Sequence, residues 1–137
     1  VKIGSLKNSR IECETFCKDF LDQLYAFELG NVLFKPTKCA LEQFRPTKEE
    51  ALSYFISGDD RKCHEDKGFA IQPWTKVRFE NSGGLILDDN RAIAMGNYFF
   101  TDTDGNEAKV EYTFGYKLID GELKIDLHHS SFPFPNP

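Results

Sequence analysis

The chain has 137 residues, of which 40% are hydrophobic and 14% aromatic, and its formal net charge is -5. This length predicts a single domain over residues 1–137, large enough to bury a core with a pocket in it. The acidic balance with scattered basic residues argues against nucleic-acid partners, and no apolar run approaches the roughly 20 residues of a membrane-spanning helix, so no membrane partner is expected.

Helical spacing of apolar residues dominates the first part of the chain. It predicts a long amphipathic helix over residues 9–29. Pro36 ends any helix at its position and makes the chain around it extended or turned. A second helix is predicted to begin at the N-cap Thr47, with Glu50 completing a capping box at N3, and to end before Gly58.

The hydrophobic period then changes from about 3.6 to about 2 residues, which is typical of strands. Five segments separated by turn sequences predict an antiparallel meander, namely residues 74–81, 85–88, 91–102, 107–119 and 122–131. N-terminal helices packed on a strongly curved antiparallel sheet give an α+β class with a cone shape. We expect the pocket to lie inside the curved sheet, with the second helix as its lid.

The register of the last hairpin follows from the turn Asp120-Gly121. If this turn has two residues, counting back along the strands places three residue pairs opposite one another: Phe114 with Leu127, Tyr112 with His129, and Val110 with Ser131. Similar counting through Asp104-Gly105 places Asn97 beside Tyr112, or Tyr98 instead if a bulge intervenes.

The last strand carries two of the three histidines of the chain, followed by two serines. Alternation places His129 and Ser131 at the end of the apolar face that begins with Ile125 and Leu127, and it places His128 and Ser130 on the opposite face. His129 is thus a candidate site residue, although it could equally be a core histidine bonded to Tyr112. His128 is interpreted as an exposed or interface residue.

Four cysteines occur at positions 13, 17, 39 and 63. They could form a disulfide set, but a domain of this size with 13 Phe residues does not need cross-links, so free thiols are favoured. Cys13, Cys17 and the pair Cys63-His64 could form a metal site, yet the Cys-x-x-Cys spacing typical of zinc sites is absent. No metal and no cofactor are therefore expected.

The string His-His-Ser-Ser-Phe-Pro at residues 128–133, together with the aromatic strands 96–102 and 110–116, resembles the iota class of carbonic anhydrases. That family is marked by a C-terminal His-His-Ser-Ser-x-Pro motif, and every fixed position matches. Its fold is the cone shared by the calcium/calmodulin-dependent kinase association domain, ketosteroid isomerase and nuclear transport factor. The resemblance covers nearly the whole chain and agrees with the predicted fold.

The resemblance implies reversible hydration of carbon dioxide to bicarbonate, with hydroxyl side chains as ligands of the bicarbonate. Carried over by position, these side chains belong to Thr37, Tyr54 and Ser131, with His129 beside them. The predicted catalytic residues are thus Thr37, Tyr54, His129 and Ser131. The predicted substrate-binding residues are Thr37, Tyr54, Ser131, Tyr112, Asn97 and Phe114.

A metal-free mechanism is the better hypothesis, because only two of the three histidines lie close together and alternation turns them to opposite faces, whereas a catalytic zinc commonly needs three histidine ligands. In this mechanism the hydroxyls orient a water molecule and stabilise the developing carbonate oxygens. His129 takes the proton, because histidine is the residue type whose ordinary pKa, about 6.5, lies closest to neutral.

Two alternatives to a carbonic anhydrase remain open. Cones of this superfamily also serve as non-enzymatic association or oligomerisation domains, and an isomerase or dehydratase could use His129 as base on a larger carbonyl substrate. The resemblance further suggests a homodimer and tandem copies of the domain. It also suggests an intracellular location, either an algal plastid or the cytoplasm of a cyanobacterium. No targeting segment is visible, and the start at Val1 suggests a piece of a longer precursor.

Overall fold

The computed structural model describes residues 1–135. Its helices are α1 (Lys2–Ser5), α2 (Arg10–Leu24) and α3 (Lys48–Ile56), with a 3₁₀ turn at Phe27–Leu29, and its strands are β1 (Leu33–Lys35), β2 (Lys76–Leu87), β3 (Arg91–Thr101), β4 (Glu107–Ile119) and β5 (Glu122–Ser131). Within this described part of the chain, no helix is both long enough and apolar enough to cross a membrane.

The predicted α+β class is confirmed: the helices pack on a five-stranded sheet that curls without closing. Strands β2 to β5 form the predicted antiparallel meander, in the order β5-β4-β3-β2. The short strand β1 was not predicted, and it adds to the free edge of β5 in parallel, with Leu33 opposite Leu127. The sheet is therefore mixed. Three residues are too few to show a hydrophobic period, which is why the sequence did not reveal β1.

The first long helix is shorter than predicted because the chain leaves helical geometry at Tyr25. This residue is extended, with φ -108° and ψ 151°, and the next peptide N–H, of Ala26, donates to the Ile125 carbonyl in β5. Tyr25 is thereby carried into the core beneath the sheet. The second helix confirms its predicted cap, since the Thr47 hydroxyl accepts a hydrogen bond from the Glu50 N–H at 3.3 Å.

The hairpin between β4 and β5 contains a β-bulge that the sequence analysis did not predict. The two-residue turn is as predicted, with positive φ at Asp120 and Gly121. Tyr116 pairs with Ile125, but Gly115 pairs with Leu127, so Asp126 is an extra residue in β5. A bulge of this kind inverts the alternation of faces in every residue that follows it.

Each predicted pair beyond the bulge is consequently wrong. The observed partners are Phe114 with His128, Tyr112 with Ser130, Thr113 with His129 and Glu111 with Ser131. His128 and Ser130 are buried on the inner face, whereas His129 is exposed and Ser131 is only half-buried. The prediction that His129 and Ser131 face the pocket is therefore wrong.

Two features accommodate the bulge. Gly115 lies opposite it, and a Cβ atom at this position would lie 2.8 Å from the Leu127 Cβ, too close for any other residue without a shift of the backbone. The Asp126 carboxylate turns outward to the Arg91 guanidinium, with N–O distances of 2.5 and 3.1 Å. The extra residue thus gains an ion pair in place of ladder contacts.

A second irregularity lies in β2, between Glu80 and Gly84, and it joins the two predicted strands 74–81 and 85–88 into one. In the neighbouring ladder Gly96 pairs with Tyr112 and Asn97 with Glu111, so the predicted pairing of Asn97 with Tyr112 is wrong by one residue. The loop between β3 and β4 has five residues, 102–106, and not the two residues of a tight turn at Asp104-Gly105. The pairing of β3 with β4 is therefore shifted from the predicted register.

Candidate active site

An inner cavity of about 440 Å³ lies between the helices and the concave face of the sheet. Most of its walls are aliphatic and aromatic side chains from α2, β1, α3 and β2 to β5. Its lining also includes hydroxyl and imidazole side chains, namely those of Tyr25, Thr37, Tyr54, Tyr98, Tyr116, His128 and Ser130. An apolar pocket with a few convergent polar groups is typical of a small-molecule site.

His128 lies at the centre of these polar groups. Its imidazole is stacked between the rings of Phe34 and Phe114, with centroid distances of 4.8 and 4.1 Å. Nδ1 shares a hydrogen bond of 2.8 Å with the Tyr25 hydroxyl, and Nε2 lies 2.9 Å from the Ser130 Oγ. The Tyr98 hydroxyl completes the group, since it shares a hydrogen bond with the Ser130 hydroxyl and lies 3.3 Å from Nε2. The four side chains therefore form one continuous hydrogen-bonded network.

Burial keeps every member of this network uncharged at neutral pH. Loss of solvation lowers the pKa of His128 from 6.5 to about 3, with a smaller contribution from the neighbouring His129. The same loss of solvation raises the pKa of Tyr98 to about 12 and raises the pKa of Tyr25 well above its usual value of 10.0. The imidazole and the phenols are thus neutral donors and acceptors.

Thr37 and Tyr54 approach this network from the helical side of the cavity. Thr37 follows β1 directly after Pro36, and Tyr54 projects from α3. Burial raises the pKa of Tyr54, and the Lys38 N–H, which donates to the Tyr54 hydroxyl at 3.2 Å, acts in the opposite direction. Thr37 and Tyr54 therefore line the same cavity as the network.

A buried ion pair holds the segments that carry Thr37 and Tyr54. The Arg45 guanidinium donates two hydrogen bonds to the Asp66 carboxylate, at 2.7 and 2.8 Å, and both side chains are fully buried. Ser53, next to Tyr54 in α3, donates a third hydrogen bond to Asp66 at 2.5 Å. The Arg45 N–H donates to the Phe34 carbonyl in β1. One cluster therefore joins β1, the loop after it and α3.

The predicted site residues divide into two groups. Thr37, Tyr54 and Phe114 line the inner cavity. The remaining four, His129, Ser131, Tyr112 and Asn97, do not line it. The Tyr112 ring packs against the cavity residues Tyr98 and Phe114, but its hydroxyl donates to the Asn81 side chain outside the cavity.

Four polar residues of the cavity were missed: Tyr25, Tyr98, His128 and Ser130. The sequence pattern offers Tyr98 only as the alternative to Asn97, and it predicts His128 to be an exposed or interface residue. One signal in the sequence could have identified His128 and Ser130, because an isolated glycine such as Gly115 inside a predicted strand often marks a bulge. The isomerase alternative depended on His129 inside the pocket, and the exposed position of His129 contradicts that placement.

All four cysteines are buried free thiols, as favoured by the sequence analysis. Across residues 1–135, no group of three or more His, Cys, Asp or Glu side chains is arranged so that it could hold a metal ion.

The family model described as metal-independent carbonic anhydrase matches residues 1–132 of the chain. The chain belongs to the metal-independent carbonic anhydrase family. This membership agrees with the resemblance of the terminal motif to the iota class. The matched region ends at Phe132 and so includes the inward-facing His128 and Ser130.

A curated member of this family, the metal-independent carbonic anhydrase of a Nostoc species, is 38% identical over 127 residues. The match covers 91% of the present chain and 61% of the relative, so the chain spans less than two thirds of that relative's length.

Solved structures show the same fold. The crystal structure of an iota-carbonic anhydrase from a cyanobacterium, complexed with bicarbonate, has a TM-score of 0.91 at 34% identity, covering 98% of this chain and 84% of that one. A putative calcium/calmodulin-dependent protein kinase II association domain from Xanthomonas campestris has a TM-score of 0.55 at 28% identity, covering 85% of this chain and 74% of that one. Proteins like nuclear transport factor 2 share the fold as well. The predicted cone superfamily is thus confirmed.

Proposed function

We propose that this chain catalyses the reversible hydration of carbon dioxide to bicarbonate in the inner cavity. The observation that carries this proposal is the neutral network of Tyr25, His128, Ser130 and Tyr98, which ends in an apolar cavity in a member of the metal-independent carbonic anhydrase family. The solved relative complexed with bicarbonate supports the choice of substrate.

The cavity suits a small uncharged substrate. Carbon dioxide enters an apolar space readily because it carries no net charge to desolvate. The stacked rings around His128, including Phe34 and Phe114, supply this space. The hydroxyls of Ser130, Tyr98, Thr37 and Tyr54 supply the polar side, where a water molecule is held for attack on the carbon atom.

In the reaction the water oxygen bonds to the carbon, and negative charge develops on the two carbon dioxide oxygens. Hydroxyl donors fixed in a site of low dielectric stabilise such charge more strongly than mobile water does. The network is preorganised for this, because the imidazole of His128 holds the Ser130 hydroxyl and Tyr25 holds the imidazole. The same hydroxyls pass the released proton toward solvent.

His128 orients these groups and does not store the proton. With a pKa of about 3, its imidazole is a weak base and is almost entirely neutral at pH 7. The proton acceptor predicted for the sequence was His129, but this residue is exposed on the outer face. We assign the orienting role to His128 and propose that no single imidazole acts as the general base. The description of the family as metal-independent supports a reaction without a bound ion.

The proposal is tested by stopped-flow measurement of carbon dioxide hydration with the metal-free protein, prepared by chelation and checked for residual metal. Ser130→Ala and Ser131→Ala form a matched pair, since the same atom is removed from adjacent residues on opposite faces. Loss of one positioned donor lowers the rate by roughly 10²- to 10³-fold, and we expect this for Ser130→Ala only. Activity that requires added manganese, or an equal loss in both variants, would contradict the proposal.

We also propose that the chain forms a homodimer through the outer part of β2 and β3. Four large apolar side chains are exposed there, namely Leu85, Ile86, Leu87 and Met95. Alternation turns Ile86 and Met95 to one face of the β2–β3 ladder and Leu85 and Leu87 to the other. Exposed apolar side chains of this kind are typical of protein–protein contacts. Light scattering should give the mass of a dimer for the parent chain and of a monomer for Ile86→Glu, and a monomeric parent at all concentrations would contradict the proposal. Tandem copies and the compartment stay predictions.

A further inference from the structure

A second cleft lies on the other side of one wall of the inner cavity. This outer cleft has a volume of about 600 Å³ and is lined by Lys38, Lys67, Tyr54 and Phe69, among others. Tyr54 and Phe69 line the inner cavity as well. Their rings are stacked, with centroids 5.7 Å apart and an angle of 15° between the planes. This stacked pair of rings therefore borders both spaces.

The charges of the outer cleft favour an anion. Lys38 and Lys67 each contribute an ammonium group. The Glu65 carboxylate is occupied by the backbone N–H groups of residues 40–42, at 2.5 to 2.9 Å, and these contacts lower its pKa to about 2. The Asp66 carboxylate is paired with Arg45 and fully buried. Glu65 stays ionised, so Lys38 and Lys67 face one unbalanced carboxylate, and the cleft carries one net positive charge in a chain whose net charge is -5.

Lys38 lies directly behind the proposed catalytic hydroxyls. Its neighbour Thr37 lines the inner cavity, whereas the Lys38 ammonium lies over the Phe69 ring, 5.9 Å from the centroid. The Lys38 N–H also donates to the Tyr54 hydroxyl at 3.2 Å. A residue of the outer cleft therefore contacts the hydroxyl that faces the reaction.

The proposed reaction converts an uncharged substrate into an anion, and the two have different requirements for passage. Several apolar side chains of the inner cavity are exposed at its rim, and these are Val1, Leu24 and Phe79. Carbon dioxide can cross such a rim at little cost, whereas bicarbonate would lose part of its hydration against these apolar side chains. On a path past Tyr54, bicarbonate would instead meet hydroxyl groups and then the ammonium groups of Lys38 and Lys67.

We propose that the outer cleft is a second binding site for bicarbonate, at which Lys38 holds the anion as it leaves past Tyr54 and as it arrives for the reverse reaction. This inference rests on the proposed function. It assigns carbon dioxide to the apolar rim and the small oxyanion to the cleft. Lys67 adds positive charge at the outer edge of the same site.

Binding is tested on the whole chain by ¹H–¹⁵N NMR titration with sodium bicarbonate, against sodium chloride at equal ionic strength. Amide signals of residues 65–70 should shift in the parent chain and in Ser130→Ala, which keeps the cleft intact. In Lys38→Glu these shifts should be lost. Lys117→Glu makes the same charge change at an exposed position of β4 outside both spaces and should behave as the parent. Shifts confined to the inner cavity, or loss of shifts in Lys117→Glu, would overturn the inference.

Kinetics supply a second readout. Electrostatic attraction of a charged reactant typically changes its on-rate by about 10-fold or more, so kcat/KM for bicarbonate dehydration should fall about tenfold in Lys38→Glu at low salt and recover in high salt. An active parent chain whose Lys38→Glu variant keeps its full kcat/KM would refute the second site and leave the proposed function intact. A parent chain without hydration activity would refute the function, and the NMR titration would still decide whether the cleft binds bicarbonate.

Discussion

Replacing His128 should make the free energy of unfolding less dependent on pH in the acid range. The imidazole is fully buried in the network of Tyr25, Ser130 and Tyr98, and its pKa is lowered from 6.5 to about 3. In the unfolded chain the same imidazole is solvated and binds a proton near pH 6.5. As the pH falls below 6.5, protonation therefore stabilises only the unfolded state until the pH approaches 3. Stability from this group is present above pH 6.5 and is lost below it.

The magnitude follows from the two pKa values. Each unit of pH inside this window costs about 1.4 kcal/mol of folding free energy. Between pH 7 and pH 4.5 the folded state should lose about 2.5 kcal/mol through this one group. Carboxylates such as Glu65 also lose native contacts in acid, but they are common to the parent chain and its variants.

The assay is urea unfolding at a series of pH values for the parent, His128→Gln and His129→Gln. The parent and His129→Gln should share the same slope of unfolding free energy against pH, and His128→Gln should be flatter by the amount above. If His128→Gln does not fold, the His128 side-chain NMR signals of the parent should keep their neutral-form shifts down to about pH 4. A flattened profile in His129→Gln, or protonation of His128 near pH 6, would refute the assigned faces of β5.

Three further predictions concern activity and stability. The pH profile of carbon dioxide hydration should have the same shape near pH 6.5 in the parent and in His128→Gln, because His128 is already neutral there. An inflection near pH 6.5 that is present in the parent and absent from His128→Gln would contradict the burial of His128. Thr47→Ala should lower the unfolding free energy by about 1 kcal/mol through loss of the α3 cap, while the exposed Thr15→Ala should change it little in the same urea experiment. Arg45→Met should cost about 3 to 5 kcal/mol, because it leaves Asp66 buried without a partner; a cost below 1 kcal/mol in urea unfolding would contradict the role of this ion pair.

The sequence predicted those elements whose signals are local. The cap at Thr47, the turn at Asp120-Gly121 and the period of the long strands depend on neighbouring residues, and the structure confirms each of them. Register across a whole strand is not local in this sense. It depends on whether an extra residue is accommodated, and the ion pair between Asp126 and Arg91 joins residues far apart in the chain.

The candidate site divides in the same way. Thr37 and Tyr54 were carried over from the family resemblance by position, and the structure places both at the inner cavity. For His129 and Ser131 the right residue types were found one position too late, because alternation was counted through an unseen bulge. Tyr25 could not be found from the helical period, which continues past the point where the backbone becomes extended.

The bulge at Asp126 has a consequence for length changes in β5. Removing one residue from a regular strand turns every later side chain to the other face, but Asp126 has no partner in the β4–β5 ladder. A chain lacking Asp126 would therefore keep Phe114 opposite His128 and would lose only the outward ion pair and the local bend. Deletion of this one residue between the turn at Asp120-Gly121 and the His-His-Ser-Ser-Phe-Pro segment is thus compatible with an unchanged set of inward side chains.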